Sequence, residues 1–363
     1  MISGQTFSIY VGIRFAKAVA LVFGICIVLL FLLDFVELTR RASEKQDIDS
    51  SLLALIALYR LPSLSEQLLP FAVLFGAMGS MLMLSRRMEL VVARAAGISV
   101  WQFLTPALVI ALLIGVFSTT VYNPLAAHFK EKSNALEVEI FSGGFGRQFK
   151  GADSWLRQDG EDGPSILHAQ QFSDQGLTLA DVTVYVFEKS GAFRERLEAK
   201  QAKLRNGRWE LTDVTVISGD AAPRKYARYA LATYLTPEQI RESFATPDSV
   251  SVWQLPAYIA LAEGAGLPAH GYRLQFQSLL ARPALLFAMV LIAATVSLRV
   301  FRFGNIGRMI LGGVIAGFLL YVLSELAEDF GTAGIVDATV AAWSPAVIAA
   351  LLGVTVLLYQ EDG

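Results

Sequence analysis

The sequence has one cysteine and three histidines among its 363 residues. Cys26 lies inside the first apolar run, which excludes an intramolecular disulfide, and we interpret it as a small lipid-facing or packed residue. His128, His168 and His270 lack the spacing of metal ligands. We therefore expect neither a metal site nor a disulfide-stabilised scaffold.

Motifs for nucleotide binding and covalent catalysis are also missing. The chain has no Gly-x-x-x-x-Gly-Lys-Ser/Thr loop and no Gly-x-Ser-x-Gly elbow. The run FSGGFGRQ at 141–148 faintly resembles an ABC signature sequence, but without a P-loop we interpret it as a turn. A formal net charge of only -2 does not favour a nucleic-acid partner. An enzyme is poorly supported, and we expect no cofactor.

Apolar residues are abundant. They make up 54% of the chain, and the mean hydropathy is +0.51, whereas soluble domains are about 45–50% apolar. A membrane helix needs about 20 predominantly apolar residues. Six segments qualify, near 12–36, 65–84, 103–122, 277–298, 308–326 and 341–359. The sequence therefore predicts an integral membrane protein with two triplets of spans, of which the first is not a cleaved signal peptide because no small-x-small site follows it.

The region between the triplets has a different character. Residues 124–270 hold most of the charge and several alternating runs, which predict an inserted all-β, jellyroll-like domain between helical segments 1–123 and 271–363. Asn206-Gly207 between two extended runs predicts a hairpin. Further strands are predicted in LTLADVTVYVFEKSG, WLRQDG, SILHAQQFS and KYARYALATYL. The run SVWQLPAYIALAEGAG predicts a helix in which Ser251 is the N-cap and Gln254 completes a capping box.

Lysine and arginine in short loops predict the orientation. Cations flank the predicted cytoplasmic ends of the spans: Arg14, Lys17, Arg86, Arg87, Arg94, Arg299, Arg302 and Arg308. We therefore expect both termini in the cytoplasm and the β domain in the periplasm of a two-membrane bacterium. A second set falls on the outer side, against the rule: Arg40, Arg41, Lys45, Arg60, Arg273 and Arg282.

Carboxylates within spans are costly and are functional candidates by default. Those considered for a proton relay are Asp34, Glu37, Glu325, Glu328 and Asp329. All lie at the predicted outer interface, so solvation there accounts for them better than a relay. A proton-coupled carrier would need carboxylates at mid-membrane.

The run LSRRMELVVARAAGISVWQF at 84–103 predicts a short helix between spans two and three, at about 85–97. On a helical projection Arg87 and Arg94 share one face, and Gly97 offers a helix stop. Another face consists of Met88, Val91, Val92 and Ala95. Such a helix fits a groove on a soluble partner or lies among lipid headgroups that attract its arginines. Periodicity alone leaves both interpretations open.

Three runs carry a resemblance to a known family. LPFAVLFGAMGSMLMLSRRMELVVARAAGIS, FVELTRRAS and WLRQDG resemble the lipopolysaccharide-export permeases of the LptF/LptG family, and the LptG branch more than the LptF branch. The likeness covers nearly the whole chain. Its most specific piece is Glu89-Leu90 followed by Ala96-Gly97, where the family has its coupling helix. The resemblance thus implies ATPase-coupling roles for these residues: Arg86, Arg87, Glu89, Leu90 and Gly97.

The resemblance also implies partners and a lipid path. An LptG-type and an LptF-type permease would form a heterodimer with two copies of an LptB-type cytoplasmic ATPase, which binds the ATP, and an LptC-type single-span protein. Lipopolysaccharide would enter from the outer leaflet of the inner membrane through lateral gates and pass to the β domain and a periplasmic bridge. Arg40-Arg41 match a basic pair of the family and suit lipid phosphates. Asp34 departs from the pattern, because relatives often carry lysine there.

Two alternatives remain at this point. One is the paralogous LptF-type subunit, which span counts do not separate from the LptG type. The other is an ABC-type mechanotransmission protein, which relays force outward and carries no lipid. Four spans with the outer domain between the first two would favour mechanotransmission, whereas six spans in two triplets favour transport.

Overall fold

A computed structural model of the chain describes residues 2–43, 49–141, 154–160, 163–173, 177–188, 192–205, 207–218, 222–234, 247–264, 269–301 and 306–362. They separate into a helical unit, Met1–Lys130, Ser251–Leu255 and His270–Gly363, and a β unit, Glu131–Val250 and Pro256–Ala269. Several predicted features lie outside the described residues: Lys45, Asn206, Arg302 and the turn at 142–148.

Nine α-helices are described in these ranges. They are α1 (Ile2–Ala42), α2 (Ser50–Arg86), α3 (Glu89–Ala95), α4 (Val100–Phe117), α5 (Asn123–Phe141), α6 (Leu255–Gly264), α7 (His270–Phe301), α8 (Ile306–Thr332) and α9 (Ala338–Asp362). A π-helical turn, Ser118–Tyr122, joins α4 to α5. Among the described residues, six helical segments are long and apolar enough to cross a membrane. Together with the sheet inserted between the third and fourth of them, they confirm the predicted fold class.

The first three spans are longer than their apolar runs. They are Thr6–Ala42, Ser50–Arg86 and Val100–Glu137, compared with the predicted 12–36, 65–84 and 103–122. At 1.5 Å per residue, the 37 residues of α2 measure about 55 Å, well beyond the roughly 30 Å of a hydrocarbon core. Hydropathy detects only the part of a helix that crosses lipid, so it underestimates the polar extensions.

The core of the helical unit is an apolar cluster centred on α7. This helix packs against α2, α4, α8 and α9, and several of its side chains, such as Leu286 and Val290, are completely buried. In contrast, only 6% of the most apolar 18-residue stretch of α1 and 17% of the corresponding stretch of α8 are buried within the chain. These two helices therefore offer most of their apolar surface to lipid or to another protein.

The β unit contains one six-stranded antiparallel sheet. Its strands are β1 (Ser154–Gly160), β2 (Gly163–Ser173), β3 (Thr178–Phe187), β4 (Phe193–Arg205), β5 (Arg208–Ile217) and β6 (Arg224–Ala232). They pair in chain order, as in a meander, and β4 and β5 form the hairpin predicted from Asn-Gly, with Arg205 opposite Arg208. Trp209 is completely buried, and its indole N–H donates to Gln158 Oε1 at 2.8 Å. The jellyroll-like layer is thus a single sheet among the described strands.

The capping box predicted at Ser251 is wrong. Helix α6 begins at Leu255, and the Ser251 hydroxyl instead bonds to the side chain of Gln254 at 3.0 Å in a turn. If the helix began after Ser251, Pro256 would lie inside it, where proline lacks the N–H donor and clashes with the preceding turn. Starting at Leu255 places Pro256 in the first turn, where proline is tolerated.

Candidate functional site

The short helix α3 is set off from α2 by a left-handed residue. Arg87 ends α2 as its C-cap, and Met88 has φ 58° and ψ 8°. The break places Arg87 and Met88 outside α3, so the predicted helical faces that included them are wrong. Gly97, with φ 83°, lies just beyond α3, which ends at Ala95 as the predicted stop requires. Such a φ favours glycine because it has no Cβ.

The buried face of α3 consists of Leu90 and Ala93, of which Leu90 joins the core cluster that also contains Val100 and Phe103 of α4. Val92 remains 66% exposed, and the preceding Met88 is 63% exposed. Arg86, Arg87 and Arg94 are also exposed. Helix α3 is therefore fixed to the core on one side and presents an apolar and cationic surface on the other.

Glu89 ties α3 to the first span. Its Oε1 accepts a hydrogen bond from the Tyr10 hydroxyl at 3.0 Å and lies 3.7 Å from Nη1 of Arg14. The Arg14 guanidinium in turn lies over the Tyr10 ring, 4.6 Å from its centre. The resemblance implies that Glu89 takes part in coupling to an ATPase. In the structure it is engaged within the chain and connects α3 to α1.

Arg40 and Arg41 lie on the last turn of α1, at the opposite end of the helical unit from α3. Both contact Glu37: Arg40 donates from Nε and Nη2 at 2.9 Å each, and Arg41 donates from Nε at 2.8 Å. The two side chains remain 69% and 55% exposed. Glu37 therefore uses three of the ten N–H donors of the pair and offsets part of their charge.

Asp34 is paired within the chain, which contradicts the expectation that interfacial solvation accounts for it. Its Oδ1 lies 3.1 Å from Nη1 of Arg60 on α2, and the two side chains are only 10% and 19% exposed. Arg60 was one of the arginines that opposed the loop-charge rule, and this pair explains its position. The other relay candidates on α8, namely Glu325, Glu328 and Asp329, are exposed.

A second buried ion pair was missed by sequence reasoning. Arg282 of α7 contacts Glu66 of α2 through Nη1 and Oε1, and Asn123 donates to both oxygens of Glu66 at 3.2 and 3.4 Å. From Glu66 to Arg86, α2 rises about 30 Å, the thickness of a hydrocarbon core. The pair thus lies at one edge of the hydrocarbon core, and α3 lies at the opposite edge. Glu66 falls on the first turn of the predicted second span, and a carboxylate inside a predicted span was the signal that could have identified this site.

The described residues contain no group of three or more His, Cys, Asp or Glu side chains that could hold a metal ion. The polar side chains brought together are instead pairs that link one helix to another. They join α1 to α3 and α2, and α2 to α5 and α7. Such links stabilise helix positions and transmit displacement, because both partners of a buried pair must move together or lose their compensation.

Comparison with known proteins identifies the family. The family described as "Lipopolysaccharide export system permease LptF/LptG" matches residues 9–359. The chain is 24% identical over 271 residues to lipopolysaccharide export system permease protein LptG of Haemophilus influenzae, covering 73% of this chain and 74% of that one. It is 22% identical over 331 residues to LptG of Escherichia coli K12, covering 87% and 88%. With its six apolar helices and inserted sheet, the chain belongs to the LptF/LptG family of lipopolysaccharide export permeases.

Proposed function

We propose that this chain is the LptG-type subunit of the exporter, and that α3 receives the force of ATP hydrolysis in a separate chain. The observation that carries this proposal is the attachment of α3 to three spans. It continues α2 through Met88, packs on α4 through Leu90, and contacts α1 through Glu89. A displacement of α3 therefore moves the whole N-terminal triplet.

The exposed side of α3 suits a protein groove. Met88 and Val92 offer apolar surface, and Arg94 offers a cation beside it. Apolar anchors with charged neighbours are what a helix presents to a binding groove. The headgroup alternative would not need the Glu89 contact with α1. The partner that we propose is an LptB-type ATPase dimer, and ATP binds to that partner.

In the proposed orientation the spans cross the inner membrane, α3 and both termini lie in the cytoplasm, and the β unit lies in the periplasm. The excess of arginine around α3 supports it, because short cytoplasmic loops are enriched in Lys and Arg. Two arginines on the other side, Arg60 and Arg282, are neutralised by buried carboxylates. They therefore weigh little against that orientation.

An LptF-type paralogue and an LptC-type single-span protein complete the proposed complex. The outward-facing surfaces of α1 and α8 support a partner in the membrane, since so little of either helix is buried within this chain. Lipopolysaccharide enters between the permeases and leaves through the β unit. Six spans in two triplets support transport over mechanotransmission, and both curated relatives described above are named LptG.

Arg40 and Arg41 are the proposed contacts for lipid phosphates. Glu37 accepts hydrogen bonds from both side chains and so holds the two guanidinium groups side by side. A guanidinium group can bind a phosphate bidentately, through two parallel N–H···O hydrogen bonds. A phosphate arriving beside α1 therefore meets a cationic pair that is already oriented.

The test is reconstitution from separately purified chains. Liposomes that contain lipopolysaccharide receive the ATPase, the single-span protein, the LptF-type paralogue and this chain, and ATP-dependent release of lipopolysaccharide to a soluble acceptor is measured. We expect release only when this chain and the paralogue are both present. Equal release by the paralogue alone, or ATP hydrolysis without release by the full set, would contradict the proposal. A pull-down from native membranes should recover the paralogue, the ATPase and the single-span protein.

A further inference from the structure

A buried junction in the helical unit has no role in the function proposed above. It lies at the π-helical turn Ser118–Tyr122 and reaches residues 251–255, which we call the return segment. The return segment belongs to the helical unit, although the residues on both sides of it in the chain belong to the β unit. The chain therefore leaves the β unit before this segment and re-enters it afterwards.

Trp253 contributes the first tie. Pro124 has no N–H to donate to the carbonyl of Thr120, four residues earlier. The indole N–H of Trp253 donates to that carbonyl at 3.1 Å. The ring itself remains 67% exposed. The tie thus depends on one hydrogen bond that a tryptophan supplies and a phenylalanine does not.

Asn123 contributes the second tie and connects it to the ion pair of α2 and α7. Its Oδ1 accepts from the backbone N–H of Val252 at 2.9 Å, while its Nδ2 donates to Glu66, the partner of Arg282. Only this orientation of the amide places a donor toward a carboxylate and an acceptor toward an N–H. Asn123 is 2% exposed and Val252 is 5% exposed. A continuous polar chain therefore runs from α7 through α2 and α5 to the return segment.

We infer that Asn123 and Trp253 hold the return segment to α2 throughout the transport cycle and so pass the movement of the membrane helices to the β unit. Asn123 is a positioning residue, since it acts through the segment that it holds. This inference rests on the proposed function for the source of movement. Its physical basis is that chains of packed side chains, hydrogen bonds and ion pairs carry energetic coupling between distant sites.

The first test compares lipid release with ATP use in the reconstituted complex. Asn123→Ala combined with Trp253→Phe should lower the lipid released per ATP at least fivefold while ATP turnover stays within twofold. Trp253→Phe alone, at an exposed ring, should fold normally and give a smaller loss. An unchanged ratio in the double variant overturns the inference.

Thr119→Val is the matched control. The Thr119 hydroxyl is buried and donates at 2.7 Å to the carbonyl of Leu279, which Pro283 leaves without a helical donor. It lies next to Thr120, and its hydrogen bond goes to α7 and not to the return segment. If the junction matters only for stability, this variant and Asn123→Ala should lower ATP use and lipid release in the same proportion, and that result would also overturn the inference.

The second test measures whether the segment moves with α2. In a Cys26→Ser chain, nitroxide labels replace Gln254 and Leu58, both of which are exposed. Double electron–electron resonance should give one narrow distance distribution between the labels without nucleotide and the same distribution with ATP and vanadate. The double variant should broaden this distribution. A nucleotide-dependent shift in the unsubstituted junction would overturn the inference. Failure of the proposed function is distinguishable, because then the unsubstituted complex would release no lipid.

Discussion

Close approach of α1 and α2 at Gly76 gives a prediction with an internal control. A Cβ added at Gly76 would lie 2.7 Å from Val19 Cα and 2.9 Å from Val19 N, both backbone atoms of α1. Backbone atoms cannot rotate away, so the helices must separate. At Gly79, in the same helix, no described atom beyond the neighbouring residues and the backbone of its own helical turns lies within 4 Å of an added Cβ.

The expected size follows from a comparison of the two alanine variants. Each gains about 1 kcal/mol of helix propensity relative to glycine, and this gain cancels in the difference. Overpacking costs about 1–3 kcal/mol, so Gly76→Ala should be less stable than Gly79→Ala by about that amount. Gly313→Ala should fall between them, because its neighbour is the Met78 thioether, which can move.

The assay is the free energy of unfolding of the purified chain in detergent, measured by titration with a denaturing detergent and followed by helical circular dichroism. All three variants should insert into membranes normally, because none adds charge. If Gly76→Ala and Gly79→Ala had equal stability, the close contact between α1 and α2 would be refuted. Small residues at such contacts are common in membrane helices, because they let backbones approach.

Four further predictions concern charge and nucleotide. The isolated chain should bind and hydrolyse no ATP, and saturable binding of a labelled ATP analogue would contradict this. Glu89→Lys removes the link to α1 and places a second positive charge beside Arg14. The variant complex should assemble but lose about tenfold or more in lipid release at similar ATP use, since hydrogen bonds to charged groups contribute about 1.5–3 kcal/mol. Tyr10→Phe, which removes one donor to Glu89, should cause a smaller loss. Replacing Arg40 and Arg41 with Glu should abolish release and photocrosslinking to labelled lipopolysaccharide, whereas Lys at both positions should cause a smaller loss. The backbone N–H of Thr339 donates to Asp337 at 2.8 Å and holds the pKa of that carboxyl below its usual range. The resulting stability is present above the unfolded-state pKa and is lost as the pH falls through the lower folded-state pKa. Asp337→Asn should therefore reduce the fall in Tm that acidification below about pH 4 causes.

Elements that depend on local pattern were predictable from the sequence. All six spans were found from apolar composition, and the β4–β5 hairpin from a two-residue signal. The strand runs also matched, because alternation of side chains is a local property of strands. Span ends were less predictable, since polar residues beyond the lipid continue a helix without any change in hydropathy that marks its end.

One tetrapeptide shows where local pattern fails. Ser-Val-Trp-Gln occurs at 99–102 and again at 251–254. At Ser99 it forms a full capping box and begins α4, whereas at Ser251 it forms a turn whose Val252 N–H donates to Asn123. Two residues after the tetrapeptide the first copy has Leu104, whereas the second has Pro256, which disfavours a helix that starts at Val252. A capping signal therefore has to be interpreted together with the residues of the next helical turn.

Pairings between distant residues were beyond the sequence. Asp34 and Glu89 were both singled out, but their partners Arg60 and Tyr10 depend on which helices lie side by side. Glu66 was overlooked because it sits at the edge of an apolar run and its partner lies in another triplet. Composition identifies such residues as costly, and only the packing of the helices identifies what compensates them.

The separation of Glu66 and Arg282 along the chain has a consequence for synthesis. The two residues are 216 positions apart, and at about 5–20 residues per second the arginine is made roughly 10–45 s after the glutamate. During that interval the rest of the first triplet and the whole β unit are synthesised, and Glu66 lies at the membrane edge without its counter-charge. Asn123, made within seconds of Glu66, is the partner available to it in the meantime. The nascent N-terminal half is therefore a distinct, temporarily unbalanced intermediate, whose lifetime is set by the length of the domain inserted between the two halves.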